Sequence, residues 1–274
     1  MRVAEPAIGG SGALPVPSRC LLAQELPQLR SALVLGMANI LPSGPTGRVL
    51  QRSNGFGLDH VAFGCRDVEQ GARWFEERLG APAYVHPAEN GWYRSASIPV
   101  GPDAAVEILA PDRNHSGLHP LKTILRGLAE PVPLFWYVAT DDLDALEARI
   151  EDVGQALHRR ERVDPTDESL PAYERAQIGK KFISQVPQAI VWTRRADKHD
   201  PVCRIEAFEL QHPAADDLNR LLESIEAPVR ITKGQSRFRI AFESPNGTVP
   251  IDGTGFSGSS LELGAHLARG LLRR

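Results

Sequence analysis

The sequence predicts an α+β fold made of repeated β-α-β-β-β units, with helices on the outer side of mixed sheets. Three observations carry that prediction. GLDHVAFG, residues 57–64, alternates strictly, with Leu58, His60, Ala62 and Gly64 on one face and Asp59, Val61 and Phe63 on the other, as a half-buried strand does. DVEQGARWFEERLG then places Val68, Ala72, Phe75 and Leu79 at i, i+4, i+7 and i+11, the stripe of an amphipathic helix. The same strand-then-helix order recurs further along, and recurrence of one supersecondary unit outweighs any single motif.

Residues 1–56 hold Pro6, Pro15, Pro17, Pro27, Pro42 and Pro45 among glycine and serine, and read as a disordered or extended leader with one short helix at most. Its apolar run, 32–41, is short and lies too far in for an ordinary secretory signal, and Met37 offers a second start. The first unit spans 57–112. Asp67 is its helix N-cap and Gly80 the residue just past the helix end. Strands are expected over 83–86, 93–100 and 104–109, the last two joined by a turn at Gly101-Pro102-Asp103.

The second unit, 133–195, opens with PLFWYVATDDLDALEARIEDVG, in which an Asp142-capped helix carries Leu143, Leu146 and Ile150 on one face. Strands follow over 156–162, 176–184 and 189–194, and the acidic DPTDESLPAYE reads as a solvated loop. The third unit, 202–253, starts with CRIEAFELQHP, continues with a helix bearing Leu218, Leu221, Leu222 and Ile225, and closes with strands over 229–232, 238–243 and 248–252. Residues 259–274 read as a C-terminal amphipathic helix with a basic end.

Composition narrows the function classes. A net charge of −3 without a lysine or arginine run argues against a nucleic-acid partner. No apolar run reaches the length of about 20 residues that spans a bilayer. The three cysteines, Cys20, Cys65 and Cys203, are odd in number and far apart, which fits a reducing, cytoplasmic setting. There is no GxGxxG after a strand, no GxxxxGK[ST], no GxSxG and no HExxH.

GLDHVAFGCRDVEQGARWFEERLG, then VEILAPD, then FWYVATDDLDALEARIEDVG resemble the glyoxalase-like proteins of the vicinal-oxygen-chelate superfamily, over roughly 57–252. The resemblance implies a glyoxalase-like domain over 57–195 whose paired modules curl a sheet around a cavity; the superfamily pairs such modules, so the third is expected to pack alongside or to mediate a homodimer. It also implies a divalent metal held by the first and last strands of each module, and a small-molecule substrate with vicinal oxygens.

Candidate site residues follow from alternation. His60 falls on the face opposite Val61 and Phe63, and Glu107 opposite Val106 and Ile108, so both point inward, where they would serve as metal ligands. Glu107 would also exchange a proton with a carbon acid. The plainer readings are a histidine hydrogen-bonded within the sheet and a glutamate on a wet strand. Arg94 would clamp a substrate carboxylate or stand on the surface, and Tyr137 with Phe135 would wall a pocket. Setting Asp67 on Asp142 puts Phe135 where His60 stood; the third unit has Ala207 there and Pro250 in place of Glu107. A third ligand would have to be Glu209 or come from a partner copy. The expected function is a lyase or isomerase of the vicinal-oxygen-chelate kind, the alternative a metal-free binding or sequestration protein, and a purely structural role would require a cavity filled by side chains.

Overall fold

A computed structural model describes residues 57–86, 91–117, 119–166, 171–179, 184–195, 199–227 and 229–253. The leader, with Met37, and the C-terminal helix expected over 259–274 lie outside them. The described residues form twelve strands and four helices in the order β1 (Gly57–Gly64), α1 (Val68–Leu79), β2 (Tyr84–Val85), β3 (Tyr93–Pro99), β4 (Ala105–Pro111), α2 (Pro120–Arg126), β5 (Val132–Ala139), α3 (Leu143–Glu151), β6 (Leu157–Val163), β7 (Ala172–Ile178), β8 (Gln188–Arg194), β9 (Arg204–His212), α4 (Ala215–Ser224), β10 (Ile231–Lys233), β11 (Arg237–Ser244) and β12 (Gly247–Gly253). No described helix is long and apolar enough to cross a membrane.

The first two units share one mixed sheet of eight strands, ordered β2-β3-β4-β1-β5-β8-β7-β6. In each half the first strand runs parallel to the last, β1 with β4 and β5 with β8, and the halves join through the antiparallel β1–β5 pair. The hydrogen-bonded order is open, with β2 and β6 at its edges.

The helices form where the sequence places them. Asp67 accepts from Gln70 N at 3.1 Å, and Gly80 ends α1 at φ 63°, a left-handed conformation that glycine adopts without a Cβ clash. Val68, Ala72, Phe75 and Leu79 are buried against the outer face of the sheet, where Phe63 meets Phe75 edge-on at 4.9 Å. Truncating a core phenylalanine of this kind costs about 3–5 kcal/mol. Asp142 caps α3 through Asp144 N and Ala145 N, and Leu143, Leu146 and Ile150 are its buried face. The short α2 was not foreseen; its Leu125 is buried on the inner face, packed against the bare backbone of Gly64, where any Cβ would lie 2.3 Å from Leu125 Cδ2.

Two expectations about this region are corrected. The acidic stretch does not stay a loop as far as expected: β7 begins at Ala172, so Tyr173, Glu174 and Arg175 belong to a strand, while 180–183 lie outside the described residues. The third unit keeps the β-α-β-β-β order but not the wiring. Its sheet runs β10-β9-β11-β12, with β9 parallel to β10, the strand directly after its helix. In the first two units the strand after the helix is an outer edge instead. Pro250 therefore pairs with Ala241, and the correspondence between Pro250 and Glu107 does not hold in space. This second sheet packs on the outer face of the first: Phe208 meets Trp136 at 5.3 Å, and Asn246 Nδ2 donates to the last carbonyls of α1, Glu77 O and Arg78 O, at 3.1 Å each.

Candidate functional site

Strand β1 departs from simple alternation at one residue. Its register with β5 runs Leu58↔Val138 and then His60↔Tyr137, so Asp59 is the extra residue of a β-bulge. Leu58 consequently joins Val61 and Phe63 in the outer core, while Asp59 and His60 both face inward. Strict alternation places Leu58 inside and Asp59 outside; the bulge reverses both.

His60 and Glu107 do come together. His60 Nδ1 lies 2.8 Å from Asp59 Oδ2, and His60 Nε2 lies 3.2 Å from Glu107 Oε2. The latter two atoms are close but not aligned as donor and acceptor, and each is buried without a hydrogen-bond partner. Tyr137, from the neighbouring β5, stacks on the imidazole at 4.2 Å. Asp59 also accepts from Trp192 Nε1 and from an Nη of Arg195, both at 2.8 Å, so the anchor of His60 is itself held from β8 and the residue after it.

Burial alone would lower the pKa of His60, but the charge of Glu107 and the contact with Asp59 outweigh it and push the group up to about 9. Burial would raise Glu107, and the positive charge of His60 outweighs that, lowering it. The result is an imidazolium between two carboxylates. Glu107 keeps about 20% of its side chain exposed, against 10% for His60, so the glutamate is the member reached from outside.

Arg175, in β7, completes the inner face. An Nη donates to Tyr93 Oη at 3.0 Å and to Tyr173 Oη at 2.5 Å, and Glu161 approaches to 3.2 Å. Starting β7 at Ala176 hid it; the alternation of Tyr173, Arg175 and Gln177 in AYERAQI is the signal that would have found it. Gln188 was missed as well. With Asp67 set on Asp142, Ala62 falls on Tyr137, and the strand partners of these two are Glu107 and Gln188. Gln188 thus stands in the second half where Glu107 stands in the first, buried, with an unpartnered amide nitrogen. Phe135 and Tyr137 line the inner face as expected, with Tyr173, Ile190 and partly buried Trp92, Tyr93 and Trp192.

Arg94 and Glu209 do not join this group. Arg94 shares the outer parity of Ala96 and Ile98 and pairs with Glu69 of α1 at 2.5 Å. There it borders an outer cleft of about 340 Å³ whose ion pairs, Arg94–Glu69 and Arg113–Asp67, close on themselves. Glu209 lies in the second sheet, half-exposed, facing Arg239 at 3.7 Å, because Phe208 and Leu210 take the inward positions.

The separation of His60 Nε2 and Glu107 Oε2 suits a shared ion with bonds of about 2 Å. The rest of the donor set does not. Among the described residues no three His, Cys, Asp or Glu side chains are grouped so that they could hold a metal ion together. Phe135 occupies the second histidine position, the free atom of Gln188 is a donor, and the Arg175 guanidinium already acts on Glu107 as a fixed cation. The residues present therefore do not fit a divalent catalytic site.

Comparison with known proteins places the chain. Residues 58–226 match the glyoxalase-like domain family, and the chain belongs to that family. The matched region runs past the eight-stranded sheet through β9 and α4. No curated protein matches. Among solved structures, the chain is similar to methylmalonyl-CoA epimerase from Mycobacterium tuberculosis at 19% identity, over 50% of this chain and 86% of that one, with a TM-score of 0.35. A hypothetical protein from Staphylococcus aureus matches at 11% identity over 66% and 87%, TM-score 0.47. A Streptomyces coelicolor methylmalonyl-CoA epimerase variant in complex with 2-nitronate-propionyl-CoA matches at 20% identity over 55% and 99%, TM-score 0.38.

Proposed function

We propose that the chain is a small-molecule enzyme of the lyase or isomerase kind that moves a proton on a carbon acid using its own side chains. One observation carries this reading: Glu107 and His60 face each other inside the sheet, with the far nitrogen of His60 tied to Asp59. Glu107, ionised and partly reachable, takes the proton from carbon. The His60 imidazolium, oriented by Asp59, and the Arg175 guanidinium supply positive charge where an enolate oxygen develops. Tyr137 and its aromatic neighbours limit water at the reacting carbon. No step is assigned to a divalent metal.

The curled cavity implied by the family resemblance belongs to the same proposal. The Arg175–Tyr93 hydrogen bond joins β7 to β3, five strands apart in the sheet order. At about 4.8 Å per strand a flat sheet would separate them by about 24 Å, beyond the reach of the two side chains. That bond supports a sheet bent toward its inner face.

Metal-free binding or sequestration is the second reading, and the aromatic lining of the inner face favours it. The two separate in one experiment. Small 2-oxo acids incubated with the protein in D2O are followed by proton NMR for loss of the signal next to the carbonyl. Exchange by the wild type and its loss in Glu107→Gln supports the enzyme. Binding with no exchange above the buffer rate overturns it in favour of sequestration.

A further inference from the structure

Among the described residues, four buried side-chain atoms without a hydrogen bond lie on the one inner face: His60 Nε2 and Glu107 Oε2, which face each other as an ion pair at 3.2 Å, and Arg175 Nε and Gln188 Nε2. Buried polar groups are rarely left unpaired, and a group of them on one surface marks a place where a ligand completes the bonding. Gln188 is 7% exposed and His60 8%, so neither has solvent as a substitute partner. Three of the four atoms are nitrogens that donate, and two of those belong to cations. The fourth, on Glu107, is the acceptor already assigned to the proton.

Arg175 and Gln188 stand on adjacent strands two positions apart, since Ile190 is the partner of Arg175 and Gln177 the partner of Gln188. Tyr93 and Tyr173 pin an Nη of the guanidinium, and Nε is left without a partner. The carboxylate at that guanidinium is Glu161, half-exposed on the edge strand β6, so it moves into water with little loss when another anion arrives. Beside these donors, Phe135, Tyr137, Tyr173 and Ile190 form an apolar wall.

We propose that the inner face binds a small organic acid, its carboxylate held by Arg175 and Gln188 and its apolar body against Phe135, Tyr137 and Tyr173. The assignment deepens the proposed function and rests on the inner face being the working site. It sets the anionic end of the substrate toward β7 and β8 and leaves the C–H carbon on the far side of the 2-oxo group toward Glu107 of β4. The guanidinium Nε–H and an amide donor select a carboxylate over its ester, because the ester offers no charge and a poorer acceptor.

The test is calorimetric titration of the full chain with phenylpyruvate and 4-methyl-2-oxopentanoate, each beside its methyl ester. The expected result is that an acid binds about tenfold or more tighter than its ester, the difference made by a charge-assisted pair. Arg175→Lys and Gln188→Leu should each weaken the acid about tenfold and leave the ester unchanged, with circular dichroism showing the fold intact. Equal binding of acid and ester, binding of neither, or indifference of the acid to both substitutions overturns the proposal. Glu107→Gln separates the two claims. Acid binding retained with proton exchange lost upholds both, whereas exchange by the wild type without acid preference sinks only the carboxylate assignment.

Discussion

Removing the His60 side chain should cost stability by an amount the site geometry sets. A histidine moved from its ordinary 6.5 to about 9 gains roughly 3 kcal/mol from its carboxylate neighbours, at about 1.4 kcal/mol per pH unit. Its side chain is 10% exposed, so solvent screening takes away little. His60→Ala also leaves Glu107 without its nearest cation, while Asp59 keeps Trp192 and Arg195. The expected loss is about 3 kcal/mol, or about 6–12 °C in Tm for a domain of this size. The pH dependence follows from the directions of the shifts. The raised His60 contributes fully below 6.5 and its contribution disappears as pH rises through about 9. The lowered Glu107 contributes above its ordinary 4.5 and its contribution fades as pH falls through the folded value. The difference between wild type and His60→Ala should therefore be full between 4.5 and 6.5 and shrink toward pH 10. Urea unfolding at about pH 6 and pH 10 measures it, and adding Glu107→Gln to His60→Ala should recover about half of the loss. A difference under about 1 kcal/mol at pH 6, or one that does not change by pH 10, would refute the charged-triad reasoning.

Two further outcomes are expected. In α1, a Cβ on Gly71 would stand 2.6 Å from Cys65 Sγ and 2.8 Å from Ile108 Cγ2, so Gly71→Ala should destabilise: overpacking of about 1–3 kcal/mol exceeds the helix-propensity gain of about 1 kcal/mol, and thermal melts read the sign. Protein purified without an affinity tag should carry zinc, manganese or nickel well below one equivalent by elemental analysis; a full equivalent that His60→Ala removes would overturn the two-donor argument.

Much of the architecture is legible in the sequence because the governing patterns are local. The stripe from Val68 to Leu79, the caps at Asp67 and Asp142 and the alternation of Val106, Glu107 and Ile108 each need only a few neighbours to interpret. Hidden features depend on contacts between distant segments. The bulge at Asp59 exists only relative to β5, so alternation within β1 alone assigns Leu58 and Asp59 to the wrong faces. Arg94 follows two aromatic residues and looks like a substrate clamp, but strand parity turns it to α1, where Glu69 meets it. The third unit has the right order of elements, yet β10 rather than β12 pairs with β9, a choice between distant partners about which helical periodicity says nothing.

The bulge has a consequence for how durable the site is. An acid–base couple whose halves sit on separate loops must be reassembled each time those loops move. Here the ring and its carboxylate anchor are joined by a single peptide unit, so thermal motion of β1 carries them together. The same arrangement ties the couple to the reading frame of the strand. One residue inserted or deleted between Leu58 and Val61 would turn Leu58 to the inner face or bury Asp59 among Val61, Phe63 and Phe75. Core and couple would fail at once, so variation at this segment is confined to substitutions that keep its length.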